Sequence, residues 1–308
     1  MPPLGNNSSI VIQNCVNKVN VKAFGYVAGF IGYTYNGNIS IINCTNYGNI
    51  CITDVTWGFS GASGICASTA NLIDNCTNYG NVSGVGNNAG ISIVCGQQIK
   101  NCTNLGKIGE IDVENKRAAG ISVIYSGDGK SVLINNINYG EIIGRNYAGG
   151  IIASTEGINH DLSIEMSIIN CSNQGNVFSK NSYAGGIMGY KGTICKNNIL
   201  IIKNSFNAGI ISSGINNGAG STAGSIKTGS NQENYYYELY NVYGTNPLIG
   251  TKSSSSYDKG ETIQKTNEEL KENTFVDLLN NYIENNPNES EISLKRWKYN
   301  EGNYPSFE

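Results

Sequence analysis

Short apolar runs alternate with polar stretches along most of the chain. Ile41 and Ile42 are followed by the polar stretch Asn43-Cys44-Thr45-Asn46-Tyr47-Gly48-Asn49, after which Ile50 begins the next apolar run. Apolar runs of about five residues or fewer, bounded by Asn and Gly, are typical of short β-strands between turns. The first 230 residues lack the i, i+3, i+4, i+7 apolar spacing of an amphipathic helix. The pattern therefore predicts short strands.

The same pattern recurs along the chain at a regular interval. Its copies begin at Asn14, Asn43, Asn75, Asn101, Asn135, Asn170 and Asn204. Between them lies a second block, Ala-Gly-Ile or Gly-Gly-Ile, whose successive copies are about 26 to 38 residues apart, a spacing typical of solenoid proteins. Each period holds three β-prone pieces: this block, Ile-Ile-Asn-Cys, and the Asn-Ile or Asn-Val that follows Tyr-Gly.

Three short strands per period predict an all-β fold, a parallel β-solenoid (β-helix) of about seven three-strand coils with a small α+β C-terminal cap. Neighbouring parallel strands lie about 4.8 Å apart, so seven coils would form a rod about 35 Å long. We expect the solenoid to occupy residues 1–230 and the cap residues 231–308. The cap is predicted from three features of the sequence: a last strand at Tyr235-Tyr236-Tyr237, a helical pattern from Thr266 onward and an aromatic tail. A solenoid end needs such a cap to cover its apolar interior.

Equivalent residues of successive coils stack in columns. We expect the amides of the first Asn column to form a ladder, as they do in stacked strands. The cysteines that follow it are predicted to fill the interior. The second column, represented by Asn46, is predicted to adopt the left-handed conformation at the turn before Gly48. The predicted ladder and interior residues are Asn43, Asn75, Asn101, Asn135, Asn170, Asn204, Cys44, Cys76, Cys102 and Cys171, with Cys15 at the start of the cysteine column.

Two of the Gly-Ile blocks, Gly29-Phe30-Ile31-Gly32 and Gly186-Ile187-Met188-Gly189, carry a four-residue signature that alternates with the Asn-Cys copies. This alternation resembles the GLUG-motif repeats of bacterial surface proteins, which include adhesin-like proteins and the repeat region of immunoglobulin-A-specific metallopeptidases. The other blocks depart from the signature, because Ala, Ile or Val replaces its final Gly. The resemblance covers about residues 10–227 and implies a repeat module of a bacterial surface protein.

Charge and composition exclude several function classes. The net charge is −3 and charged residues make up 14% of the chain, without the basic cluster typical of nucleic-acid binding. No apolar run is long enough to cross a bilayer, so we expect no direct membrane insertion. The first residues, Met1-Pro2-Pro3-Leu4-Gly5, do not resemble a signal peptide. We expect an extracellular or cell-surface fragment of a longer protein.

Candidate catalytic chemistry is sparse. His160 is the single histidine, so the chain cannot contain the His-Glu-x-x-His motif of a zinc peptidase. The nine cysteines include no Cys-x-x-Cys pair, and we expect neither a metal site nor a cofactor. Asp54, Asp74, Asp112 and Glu141 occupy different repeat positions, so nothing in the sequence pairs two carboxylates.

The sequence leaves two functions open. The first is a non-enzymatic surface module, either adhesin-like or a structural spacer for another domain, whose partner would be a host glycan or an extracellular-matrix or surface protein. Its binding face would use the non-repeating aromatic residues Tyr33, Tyr35, Trp57, Phe59 and Tyr147, although each taken alone is also an ordinary exposed strand residue. The alternative is a carbohydrate-active β-solenoid, such as a polysaccharide lyase, a glycosidase or a phage depolymerase.

Overall fold

The computed structural model describes residues 9–34, 38–55, 60–111, 113–125, 129–155, 163–192, 197–227, 236–245, 247–287, 289 and 292–308. Several residues singled out in the sequence lie outside these ranges: Tyr35, Trp57, Phe59, Asp112, His160 and Cys195.

The chain winds into a parallel β-solenoid with three faces, which confirms the predicted fold class. The first face carries the longest strands, each paired in parallel with its equivalent one coil away, as Ile41 pairs with Ile73. The strands of this face are Ser9–Gln13, Asn38–Ile42, Cys66–Asp74, Ser92–Lys100, Ser122–Tyr125, Gly129–Ile134, Ile152–Ser154, Ser163–Ile169, Met188–Lys191, Asn197–Asn207, Ala223–Ile226, Tyr237–Gly244, Ile249–Lys252 and Lys259–Gln264.

Two-residue strands follow the first corner and belong to the same sheet: Val16–Asn17, Thr45–Asn46, Thr77–Asn78, Thr103–Asn104, Ile137–Asn138 and Ser172–Asn173. The second face consists of Val21–Ala23, Ile50–Ile52, Val82–Gly84, Ile142–Gly144, Val177–Ser179 and Ile211–Ser213. The third face consists of Tyr26–Ala28, Gly61–Ser63, Gly86–Ala89, Asn115–Ala119, Tyr147–Gly149, Tyr183–Gly185 and Ala219–Gly220.

The core is a set of apolar columns that run the length of the rod. On the first face one column passes, coil by coil, through Ile41, Ile73, Ile99, Leu133, Ile168, Ile202 and Leu239. Each of these side chains is buried. Burial of an aliphatic side chain contributes roughly 1.5–3 kcal/mol, so each buried member of a column favours the stacking of its coil on the next.

The first Asn column makes the corner that ends the long strand. Its members have positive φ between 45° and 56°, the left-handed region that Asn tolerates better than other side chains. The prediction that placed this conformation at the second column, three residues later, is therefore wrong. Asn46 lies in one of the two-residue strands instead. Glycine is needed at position 48 because the backbone of the preceding coil lies very close: a Cβ there would be 1.9 Å from Val19 O.

The second Asn column lies inside the rod and forms an amide ladder of its own. Asn78 Nδ2 donates to Asn104 Oδ1 at 2.8 Å and also to the Gly80 carbonyl of its own coil at 2.8 Å. The same pair of bonds recurs at Asn46, Asn104, Asn138 and Asn173, always with the donor directed toward the C-terminal coil. We call this column the inner ladder.

Glycines of the third-face corner make room for the inner ladder. A Cβ on Gly120 would lie 2.3 Å from Gly150 O and 2.4 Å from Asn138 Cγ. Gly64, Gly90, Gly150 and Gly186 are equally close to the inner-ladder amide of their own coil and to the backbone of the next. Glycine therefore recurs in the Gly-Ile block because the buried amide that packs against it leaves no room for a Cβ.

We expect Gly120→Ala to destabilise the protein by about 1–3 kcal/mol, because neither the backbone carbonyl nor the buried amide can withdraw. Gly302→Ala is the matched control, since a Cβ there meets nothing within 4 Å and the change adds only the strain of a φ of 68°. Urea unfolding followed by circular dichroism measures both variants. Equal losses in the two would show that crowding against the inner ladder is not the reason for glycine.

The solenoid extends further than the sequence indicated. Tyr237–Gly244 pairs in parallel with Asn197–Asn207, and Lys259–Gln264 pairs with Tyr237–Gly244. Asn241 adds an eighth member to the first Asn column, with a φ of 55°. Parallel pairing therefore continues beyond residue 230, where the sequence placed the start of the C-terminal cap, as far as Gln264.

The C-terminal segment consists of a 3₁₀ turn, Glu269–Lys271, a helix α1, Asn273–Asn285, and an antiparallel hairpin of Trp297–Asn300 and Asn303–Phe307. Thr266 and Glu269 form the reciprocal bonds of a capping box where the helical pattern was expected to begin. The segment packs against the side of the rod: Leu270, Phe275, Val276, Leu279 and Trp297 cluster with Ile137, Phe206 and Tyr243 of three coils. A cap for the last coil was expected, whereas the contacts described for the segment lie along the side of the rod.

Candidate functional site

The first Asn column also forms an amide ladder, which we call the outer ladder, and its donors point toward the N-terminal coil. Asn43 Nδ2 donates to Asn14 Oδ1 at 3.1 Å, and Asn75 Nδ2 donates to Asn43 Oδ1 at 2.9 Å. Asn101 interrupts the series because its Nδ2 donates to Asp74 Oδ1 at 2.8 Å. The series then resumes through Asn135, Asn170, Asn204 and Asn241, at 3.1, 2.7, 2.8 and 2.5 Å.

The predicted interior cysteines are buried. Cys44, Cys76, Cys102 and Cys171 are all 0% exposed, and each thiol donates to the carbonyl two residues before it at 3.1 to 3.3 Å. Cys15 is exposed instead, because among the described residues no coil covers the outer side of the first one. Where the column lacks cysteine, Asn136 and Ser205 satisfy neighbouring backbone groups: Asn136 Oδ1 accepts from Cys102 N and Ser205 Oγ from Cys171 N.

Burial raises the pKa of the Cys44 thiol to about 11 and that of Cys66, Cys95 and Cys171 to about 12. We therefore expect these thiols to react with a maleimide far more slowly in the native protein at pH 8 than in urea, while Cys15 reacts at once. The unfolded chain releases these protons from about pH 8.5. The folded chain holds them, so stability should fall as pH rises above about 9. Mass spectrometry of labelled peptides gives the site-specific rates, and native labelling of all five columnar cysteines at the denatured rate would contradict the buried column.

The two predicted binding aromatics within the described ranges, Tyr33 and Tyr147, do not meet. Tyr33 is exposed and its ring lies 5.0 Å from that of Tyr26. Tyr26 and Tyr147 occupy the same register position of the third face, four coils apart, which is about 19 Å at the coil spacing. Tyr33 and Tyr147 therefore do not form one site, and the other three predicted aromatics, Tyr35, Trp57 and Phe59, lie outside the described residues.

Tyr147 belongs to a packed aromatic stack. Its ring lies 4.6 Å from Tyr190 and 6.3 Å from Tyr183, with planes within 11° of parallel. The Arg117 guanidinium lies 5.5 Å from the same ring. These contacts leave the ring half-buried and stabilise the stacking of neighbouring coils. Polar groups available to a ligand lie beside this stack.

A polar pocket of about 360 Å³ lies where the chain enters the third face on three successive coils. Its lining residues are Glu114, Lys116, Arg145, Asn146 and Asn181. Backbone bonds between coils hold the wall in register, with Asn146 N donating to Lys116 O at 3.0 Å and Asn181 N to Arg145 O at 2.7 Å. Because all five occupy non-repeating positions, the repeat did not predict the pocket. The available signal was the charge of Lys116 and Arg145 in a chain with few charges.

The electrostatics of the pocket favour binding over acid catalysis. Arg145 forms an ion pair with Glu114, and the hydrogen bond and charge of the guanidinium lower the pKa of that carboxyl. Glu114 is the one carboxylate among the lining residues. Glycoside hydrolysis needs two, one of them protonated. The pocket offers an ammonium, a guanidinium and two amides, groups that hydrogen-bond sugar hydroxyls or carboxylates.

The carboxylates considered in the sequence remain dispersed. Asp74 contacts Lys100 and Asn101, and Glu141 pairs with Lys107 at 2.8 Å. Within the described ranges no group of three or more His, Cys, Asp or Glu side chains could hold a metal ion. Among the same residues, no helix has the length and apolar character needed to span a membrane.

Comparison with known proteins supports the fold. No protein-family model matches the sequence, and no curated protein gives a significant match. Among solved structures, the chain is similar to the crystal structure of a putative immunoglobulin A1 protease from Bacteroides ovatus, with 18% identity and a TM-score of 0.57, over 88% of this chain and 78% of that one. At this identity the likeness concerns the fold alone. It agrees with the resemblance to the repeat region of immunoglobulin-A-specific metallopeptidases, while no family model supports the GLUG motif itself.

Proposed function

We propose that this chain is a non-enzymatic β-solenoid repeat module of an extracellular or cell-surface protein, and that it binds a host glycan or surface protein in an adhesin-like manner. The polar pocket of Glu114, Lys116, Arg145, Asn146 and Asn181 carries this proposal. It is built from positions that do not repeat, on a rod whose remaining surface is largely repetitive. Binding surfaces of repeat proteins use such variable positions on a rigid scaffold.

Two features of the pocket support binding without catalysis. Its single carboxylate is paired with Arg145, so the pocket does not provide the acid and base of a glycosidase. The wall is formed by backbone bonded between coils, so the polar groups are held in place before a ligand arrives. Such preorganisation reduces the entropic cost of binding.

A glycan array probed with the full chain tests the proposal. We expect binding to acidic or polyhydroxylated glycans that drops at least tenfold in Arg145→Ala and Asn181→Ala. Arg296→Ala is the matched control, because Arg296 also forms an exposed ion pair, with Glu284 at 2.7 Å, but lies immediately before the C-terminal hairpin. Release of reducing ends or unsaturated products from a polysaccharide panel would contradict the non-enzymatic proposal. Absence of binding to glycans and matrix proteins would contradict adhesion and favour a structural spacer.

A further inference from the structure

The outer ladder is covered by the C-terminal segment in the coils nearer the C-terminus and is open to solvent in the coils nearer the N-terminus. Asn135, Asn170 and Asn204 are buried beneath the C-terminal segment. Asn14, Asn43 and Asn75 are exposed. Both parts belong to the same column of left-handed asparagines, so the backbone geometry is alike and only the covering differs.

In the covered part, the amides of Asn135 and Asn170 hydrogen-bond to their full capacity. A primary amide has two donors and two acceptor lone pairs. Asn135 Nδ2 donates to Asn101 and to Ser293 O at 3.1 Å, and its Oδ1 accepts from Asn170 and from Lys295 N at 3.1 Å. One donor and one acceptor thus serve the ladder, and the other two serve the peptide main chain.

Asn170, in the next coil toward the C-terminus, is bonded to the same extent, but one of its two additional partners is main chain and the other is the Trp297 side chain. Its Nδ2 donates to Asn135 and to Lys295 O at 2.9 Å, and its Oδ1 accepts from Asn204 and from Trp297 Nε1 at 2.6 Å. Segment 293–297 therefore runs along the ladder and exchanges main-chain bonds with successive amides. This is a form of main-chain recognition related to strand addition at a sheet edge.

In the open part, half or more of this capacity is unused by the described residues. Among them, the side-chain amide of Asn43 bonds only to the amides of Asn14 and Asn75, and that of Asn75 bonds only to the amide of Asn43. The flanking side chains are also in register. Thr45 pairs with Thr77, and the rings of Tyr47 and Tyr79 stack at 4.8 Å with planes 9° apart. We call Asn43, Thr45, Tyr47, Asn75, Thr77 and Tyr79 the open strip.

We propose that the open strip binds an extended polypeptide segment of a partner protein through its main chain, as the covered part binds segment 293–297. The open strip lies on the same asparagine column as the covered part, separated from it by the coil of Asn101, and its spare donors and acceptors repeat at the coil spacing. Tyr47 and Tyr79 are 51% and 47% exposed and provide an apolar border for a side chain of the peptide. The surface is separate from the pocket of Arg145, so it adds a second contact to the proposed module.

A fluorescent peptide with the sequence of residues 292–300 is the probe, and fluorescence anisotropy with the full chain is the measurement. We expect saturable binding that weakens at least tenfold in Asn43→Gly/Asn75→Gly. Glycine keeps the left-handed backbone, so this variant removes the amides without strain. Asn217→Gly is the matched control, because Asn217 has a φ of 56° but lies outside the strip. N-methylation of the peptide at the position of Lys295 should weaken binding to the same degree.

Several results would overturn the proposal. Absence of binding at millimolar peptide, with the variants folded by circular dichroism, would show that the open amides do not recognise main chain. Binding that is unchanged in Asn43→Gly/Asn75→Gly but lost in Asn135→Gly would mean that the peptide displaces the chain's own segment. A concentration-dependent dimer that disappears in Asn43→Gly/Asn75→Gly would replace the partner protein with a second copy of the chain. Glycan binding lost in the same variant would replace the peptide with a saccharide.

Discussion

Asn104→Ala is expected to destabilise the protein by about 3–5 kcal/mol, although it removes a polar side chain from the interior. The change deprives the buried Asn138 Oδ1 of its ladder donor, Asn78 Nδ2 of one acceptor and the Gly106 carbonyl of its amide partner. Each buried polar group left without a partner costs about 1–3 kcal/mol. Urea unfolding gives the total, and hydrogen exchange should show the lost protection concentrated in the coils on either side.

Asn75→Gly is the control for this prediction. Asn75 belongs to the exposed outer ladder, its φ of 52° suits glycine, and water can replace its bond to Asn43. A loss of about 1 kcal/mol or less is expected. If Asn104→Ala cost no more than Asn75→Gly, the buried ladder would not be a source of stability.

The second large effect is expected at Trp297, which joins the C-terminal hairpin to the rod. The side chain is 1% exposed, its ring lies 5.2 Å from Phe206 and 4.2 Å from Phe307, and Nε1 donates to Asn170 Oδ1. Replacement of such a side chain by alanine costs about 3–5 kcal/mol. Trp297→Ala should therefore release the C-terminal segment, and limited proteolysis should cut between residues 265 and 297 while the solenoid stays intact.

Trp297→Phe separates packing from the hydrogen bond. A phenyl ring keeps most of the contact with Phe206 and Phe307, and Asn170 Oδ1 still accepts from Asn204 Nδ2 at 2.8 Å. The expected loss is about 1 kcal/mol, with the segment still protected from protease. Protection of the segment in Trp297→Ala would mean that helix α1 alone holds it in place.

The repeat predicted the solenoid because stacking places each residue on its equivalent. The spacing of Asn43, Asn75 and Asn101 is enough to indicate parallel strands one coil apart. Two adjacent isoleucines do not show which side chain points inward: the sequence favoured Ile42, whereas Ile41 is buried and Ile42 is half-buried. The same logic could not distinguish the left-handed asparagine from the buried one. Asn43 and Asn46 are chemically identical, and the difference arises from the close packing of Gly48 and of the third-face glycines.

Features built from non-repeating residues could not be predicted in this way. The pocket joins Glu114, Arg145 and Asn181, which are far apart in sequence and meet only because their loops stack on successive coils. The docking of Trp297 on Asn170 likewise depends on one pair of residues 127 positions apart. Periodicity carries no information about such pairs. The residues of the candidate site could therefore be identified only from the structure, whereas most ladder residues could be identified from the sequence.

The amide dipoles of the two ladders point in opposite directions, which affects the electrostatic field around the rod. Aligned amide dipoles add along an axis and place opposite partial charges at its two ends, as they do in a helix. Here the donors of the outer ladder face the N-terminal end and those of the inner ladder face the C-terminal end. The two series of dipoles therefore oppose each other, so a further coil that adds one asparagine to each ladder adds two opposed amide dipoles. A repeat array of this kind can grow in length with a smaller electrostatic cost than one ladder alone would impose.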